Sequence, residues 1–87
     1  MSDAPEAPSS MTADVLTYLA KSLVDHPDDV NVTAVPEDDE VVLELRVHPD
    51  DMGKVIGKRG RTAKAIRTMV KAAATREGTS VAVEIVE

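Results

Sequence analysis

Apolar residues recur every three or four positions from Met11 to Val24, where Met11, Val15, Leu16, Leu19, Ala20, Leu23 and Val24 fall on one stripe of a helix. Ser9 or Ser10 can cap it. The helix is expected to end near His26, because Pro27 disfavours helical geometry in the residue before it and Asp28 and Asp29 sit badly at the negative end of a helix dipole. The period then changes to two. Val30, Val32 and Ala34 alternate with Asn31 and Thr33, and Pro36 with the acidic run Glu37, Asp38, Asp39, Glu40 marks a turn. Val41, Leu43, Leu45 and Val47 alternate with Val42, Glu44, Arg46 and His48, the clearest strand in the chain, so the two strands predict a hairpin. His48-Pro49-Asp50-Asp51 reads as a helix start, with proline early and acids in the first turn. That helix must be short, its apolar members being Met52, Val55 and Ile56, since Gly53 weakens it and Gly57 ends it. A longer helix is predicted from Gly60 or Arg61 to about Arg76, burying Ala63, Ile66, Val70 and Ala73, exposing Lys64, Arg67 and Lys71, and closed by Gly78. Ser80 to Val86 alternates again, with Val81, Val83 and Ile85 on one face.

The order is αββααβ, and burying three helical and three strand faces together predicts an α+β fold, a three-stranded sheet covered on one face by three helices. The last strand arrives by a helical crossover, which lets it pair in parallel, right-handed, with the strand before that crossover. The core is expected to be Val, Ala, Leu, Ile and Met, with Tyr18 as its single aromatic. With 87 residues there is room for one domain, which buries only about 60% of its unfolded surface. A homodimer or a partner chain could add burial. Residues 1–10, MSDAPEAPSS, read as a disordered acidic and proline-rich tail without a signal peptide, leaving 11–87 as the domain. No cysteine is present, which suits a reducing compartment and predicts a cytoplasmic location. No apolar run approaches the roughly twenty residues that span a bilayer, so no membrane partner is expected.

Charge changes the picture. The net charge is −6, yet residues 1–50 carry −10 and residues 51–87 carry +4. Between Gly53 and Arg76 eight bases occur without an acid: Lys54, Lys58, Arg59, Arg61, Lys64, Arg67, Lys71 and Arg76. One face is therefore expected to be positive on an acidic body. Its centre is Gly57-Lys58-Arg59-Gly60, between the two adjacent helices. Two glycines allow positive φ and close approach of a ligand backbone. The helix that follows offers the amides around Gly60, Arg61 and Thr62 as free donors at the positive end of its dipole, which favours phosphate. A mononucleotide loop is excluded by spacing: three residues instead of four separate Gly53 from Gly57, Arg59 follows the lysine where Ser or Thr is needed, and the loop joins helix to helix.

The string Ile56-Gly57-Lys58-Arg59-Gly60-Arg61-Thr62 with Ala65-Ile66-Arg67 resembles the GxxG signature of KH domains, and the element order resembles their type II arrangement. Length, N-terminal helix, acidic hairpin and the run IGKRGRTAKAIR are similar to the KhpA family of small bacterial single-KH RNA-binding proteins. The resemblance spans about residues 11–87, with the GxxG-containing core at 40–87. It implies that Gly57, Lys58, Arg59 and Gly60 hold the backbone of single-stranded RNA, with Lys54, Ile56, Arg61, Thr62 and Lys64 completing the RNA-binding set. Val55, Ile56, Ala63 and Ile66 supply either an aliphatic groove or the core beneath it. The resemblance also implies an RNA chaperone that pairs with itself or with a KhpB-type protein, in cell elongation and envelope homeostasis. Scarce aromatics agree with a KH groove over the stacking platforms of RRM or OB surfaces. Three or four neutralised phosphates predict a log K against log salt slope of roughly −2 to −3.

His26 and His48, each before a proline, read as exposed boundary residues without a metal role, and Glu37–Glu40 as a solvated turn without the spaced oxygens of a calcium loop. Met52 and Met69 read as packing. No nucleophile context points to an enzyme, a cofactor or a small-molecule substrate. The alternative to RNA binding is a KH-fold protein-interaction module.

Overall fold

In the computed structural model, which describes residues 11–87, the elements follow the predicted order. They are α1 (Met11–Leu23), β1 (Asn31–Glu37), β2 (Glu40–Arg46), α2 (Met52–Ile56), α3 (Arg61–Glu77) and β3 (Val81–Val86), with 3-10 turns at Pro27–Asp29, Pro49–Asp51 and Lys58–Gly60. The expected tail, with Ser9 and Ser10 as the expected caps, lies outside the described residues.

The sheet order is β1-β2-β3, with β1 antiparallel to β2 and β3 parallel to it, as a helical crossover demands. Pro36 was expected in the turn and instead lies within β1, opposite Val41. β1 is an edge strand, where a residue without an N–H costs no ladder bond. The turn contracts to Asp38 and Asp39, and Asp38 takes a positive φ of 48°.

One core holds the layers together: Leu16 and Ala20 from α1, Leu43 and Leu45 from β2, Ile66, Val70 and Ala74 from α3, and Val81 and Val83 from β3. On α3 the buried row takes Ala74 in place of the predicted Ala73, continuing the four-residue step of Ile66 and Val70. On α1 the buried seam keeps Leu16 and Ala20 of the predicted stripe but takes Thr12 in place of Met11. Met11 and Tyr18 are therefore 61% and 71% exposed, and Met69 on α3 is 53% exposed, so neither the aromatic nor that methionine is core. Thr12 is buried because its hydroxyl and amide, with the Met11 amide, bond the Glu77 carboxylate at the far end of α3. Those bonds hold Glu77 below its ordinary pKa, the Thr12 hydroxyl first, against the opposing effect of burial.

Helix α1 stops three residues before the expected boundary. Its continuation is prevented by Asp51, whose carboxylate takes the amides of Asp25 and His26 at 3.2 and 3.0 Å. Gly78 closes α3 as predicted, left-handed at φ 75°, with its amide on Thr75 and that of Thr79 on Ala74.

Candidate nucleic-acid interface

Helix α2 is five residues long and fixed at both ends. At its start, Asp51 is 1% exposed and, besides the two amides, lies 2.9 Å from Nδ1 of His26. The His26 ring stacks on that of His48, centroids 4.0 Å apart and planes 15° from parallel. Nδ1 of His48 in turn accepts from the Asp50 amide at 3.0 Å. Hydrogen bonding to Asp51 holds His26 above its ordinary pKa against the opposing effect of burial, with the charges of Asp51, Asp29 and Asp50 adding to it. Burial pushes Asp51 up, but the bonds from His26 and the two amides together outweigh it and hold the carboxyl low. The histidines are thus a structural clasp between two His-Pro-Asp-Asp segments, 26–29 and 48–51. That repeated tetrapeptide was the signal available in the sequence.

At the other end, Gly57 caps α2 with φ 76° and ψ 174°, a region open essentially to glycine alone. Its amide bonds Gly53 at 2.8 Å. A Cβ there would lie 2.6 Å from Cβ of Thr62 and 2.9 Å from its backbone nitrogen, and against its hydroxyl as well. Thr62 therefore closes on Gly57 and draws the ends of the loop together. Arg59 (φ 57°) and Gly60 (φ 73°) are both left-handed, and this reversal starts α3.

The amides differ from expectation. Gly60 donates to the Gly57 carbonyl at 3.1 Å and Arg61 to that of Lys58, closing the 3-10 turn, so neither is a free donor. The cations are another matter. Lys58, Arg59, Arg61 and Lys64 are exposed and make no ion pair among the described residues. Lys54 differs, lying 3.5 Å from Asp25.

The apolar positions also separate. Val55, Ala63 and Ile66 are core, at 0%, 5% and 3% exposure, whereas Ile56 is 37% exposed. Ile56 and Met52 line an open groove of about 330 Å³ with Val47, Pro49 and Glu87, and Ile56 adjoins Gly57. The structure thus brings a cationic glycine turn beside an aliphatic groove. Among the described residues no cluster of His, Cys, Asp or Glu could hold a metal, and no helix is long and apolar enough to cross a membrane.

Comparison with solved structures gives the fold. Era from Aquifex aeolicus superposes with a TM-score of 0.61 at 21% identity, over 98% of this chain and 35% of that one. Era in complex with MgGDPNP and nucleotides 1506–1542 of 16S ribosomal RNA gives 0.60, also at 21%. Sequence comparison is closer. RNA-binding protein KhpA of Clostridium perfringens is 58% identical over 73 residues, 84% of this chain and 97% of the relative. That of Bacillus subtilis is 50% identical over 72 residues, 83% and 89%. The family model described as KhpA/KhpB, KH domain matches residues 13–85. Such identity over nearly the whole length of its relatives turns resemblance into membership: the chain belongs to the KhpA/KhpB family of KH-domain proteins.

Proposed function

We propose that this protein binds single-stranded RNA without catalysis, gripping the sugar-phosphate backbone at Gly57, Lys58, Arg59 and Gly60. The observation that carries this reading is the turn itself: Lys58 and Arg59 stand exposed without a counter-charge among the described residues, on a tight glycine-bounded turn between two helices. Because two of the expected amides are spent internally, the grip falls more on cations than on helix-dipole donors. Arg61 and Lys64 extend the charge, Thr62 holds the loop's shape, Lys54 contributes after release from Asp25, and Ile56 offers an apolar wall to a base. The names of the relatives, RNA-binding protein KhpA, support RNA as the polyanion. Family membership further supports a cytoplasmic RNA chaperone that acts as a homodimer or with a KhpB-type partner in cell elongation and envelope homeostasis. A second reading, assembly through the fold with RNA secondary, is favoured by exposed Met11, Tyr18 and Met69 on α1 and α3.

The deciding experiment replaces Lys58→Asp and Arg59→Asp together and measures RNA affinity by fluorescence anisotropy beside a thermal melt. The expected result is an unchanged melt with about a hundredfold loss of affinity, or 2.7 kcal/mol, and a salt slope shallower by about 1.4. Unchanged affinity in a folded variant would remove the loop from the RNA site and favour the assembly reading.

A further inference from the structure

The two edges of the sheet are finished differently. At β3, Nε of Arg67 donates to the Val83 carbonyl at 3.2 Å. At β1, no side chain among the described residues bonds the outward backbone groups. Which groups those are follows from the ladder. The Val41 amide donates to the Ser80 carbonyl at 3.0 Å, so the backbone groups of Val41, Leu43 and Leu45 point to β3 and those of Val42, Glu44 and Arg46 to β1. Their partners Val35, Thr33 and Asn31 spend their groups on β2, which leaves Val32, Ala34 and Pro36 turned outward. Pro36 has no N–H and blunts one end. Val32 and Ala34 present two donors and two acceptors.

An edge is guarded by placing charge or proline on it. β1 has its proline at one end only and no charge from Val30 to Pro36. The charges flank it instead. Asp28 and Asp29 precede the strand and Glu37, Asp38, Asp39 and Glu40 close it, all exposed and without an ion pair among the described residues. These acids disfavour two occupants. A second copy paired antiparallel, with Val32 opposite Ala34, would set Asp29 against Glu37 and Asp28 against Asp38, and like charges directly opposite destabilise a ladder. A polynucleotide would meet the same repulsion from its phosphates. A cationic chain would instead find a counter-charge at each end.

We propose that the β1 edge accepts an extended segment of a partner protein, neutral or apolar along its middle and carrying Lys or Arg at both ends. Its backbone hydrogen-bonds Val32 and Ala34 and extends the sheet to four strands, so that main-chain bonds supply affinity and the flanking charges supply selectivity. The cations lie about nine residues apart, the separation of Asp28 and Asp29 from Glu37 and Asp38. None of these residues belongs to the glycine turn, so the surface is independent of the RNA reading. The competing explanation is that the acids and Pro36 only keep other chains off the edge.

The test titrates the isotope-labelled full chain with the peptide KKTVTVTVTKK, following backbone amides by NMR and affinity by anisotropy of a dye-labelled copy. The expected result is saturable binding with shifts centred on the amides of Val32 to Val35. N-methylating one alternate set of the peptide's middle amides should cost about tenfold and the other set under twofold, because only one set faces β1. Glu37→Lys with Asp39→Lys should cost about fivefold, and the peptide EETVTVTVTEE should not bind. The N-methylated peptides leave the protein untouched, so the edge is tested even if the charge variant does not fold. Equal losses from both sets, shifts centred outside β1, or no binding of KKTVTVTVTKK at millimolar concentration overturn the proposal. Undiminished binding of EETVTVTVTEE overturns its charge rule. Shifts at β1 produced by raising the protein concentration alone would give the edge to a second copy, and shifts produced by a short single-stranded RNA would give it to nucleic acid. Either result overturns the assignment to a partner protein.

Discussion

The two ends of α2 are both tight turns rich in charge, and they use that charge in opposite ways. At the start, Asp51 is enclosed and meets three donors, two amides and the His26 ring. At the finish, Lys58 and Arg59 meet no carboxylate among the described residues. A buried charge is tolerable only when its partners are supplied from within. An exposed one needs none, and a group of exposed like charges mutually repels until a counter-charge arrives. What separates the structural end from the one proposed to bind RNA is therefore where each charge finds its partner.

That contrast is broken most severely at Asp51. Replacing Asp51→Ala leaves two backbone amides and the His26 ring without their acceptor, and the melting temperature is expected to fall by about 10 °C or more. RNA affinity per folded molecule, measured well below the melt, should change less than about twofold. A large affinity loss with an unchanged melt would reverse the roles assigned to the two ends. Next in size is the contrast within the glycine turn. Gly57→Ala meets both a glycine-only conformation and the Thr62 side chain and backbone, and should cost about 2–3 kcal/mol in urea unfolding. Gly60→Ala has nothing within 4 Å of its new Cβ and pays only for the left-handed backbone, about 1 kcal/mol. Equal costs would mean that Thr62 yields freely and does not hold the turn.

How far this was legible follows the range of each cause. Strand alternation in Val41–Val47 and Val81–Ile85, the glycine stops at 57 and 78, and the cationic turn itself are local, and the sequence carried them correctly. The seam of α1 was not local. Leu16 and Ala20 of the predicted stripe are core, but Met11 and Tyr18 point outward and Thr12 inward, where it meets the Glu77 carboxylate brought from the end of α3. Likewise Asp51 reaches His26 from 25 residues away along the chain, and the repeated His-Pro-Asp-Asp tetrapeptide is the one local sign of that pairing. The amides of Gly60 and Arg61 were misjudged for a different reason. Glycine was read as freeing the backbone, whereas here its left-handed conformation folds the turn onto its own carbonyls.

The smallest expected effect is the pH dependence of the clasp, and its sign can be worked out. The folded state raises the pKa of His26 above its ordinary value of about 6.5. The stability this contributes is complete below about pH 6.5 and is lost as pH rises through the raised value. Asp51 and Glu77 act in the opposite sense. Their pKa values are lowered, so their contribution is complete above about pH 4.3 and is lost as pH falls through the lowered values. The groups around His26 are Asp29, Asp50 and Asp51, which favour its charge, the stacked His48 ring, and Asp25, itself paired with Lys54. Thermal melts should therefore peak between about pH 4.5 and 6.5 and decline on each side. His26→Asn should flatten the decline above pH 6.5, because Asn does not titrate, while leaving an acid-side decline through Glu77 and the amide-bonded Asp51. A variant that keeps the full alkaline decline would place its origin outside the clasp, and the start of α2 would then owe its stability to the two amides on Asp51 alone.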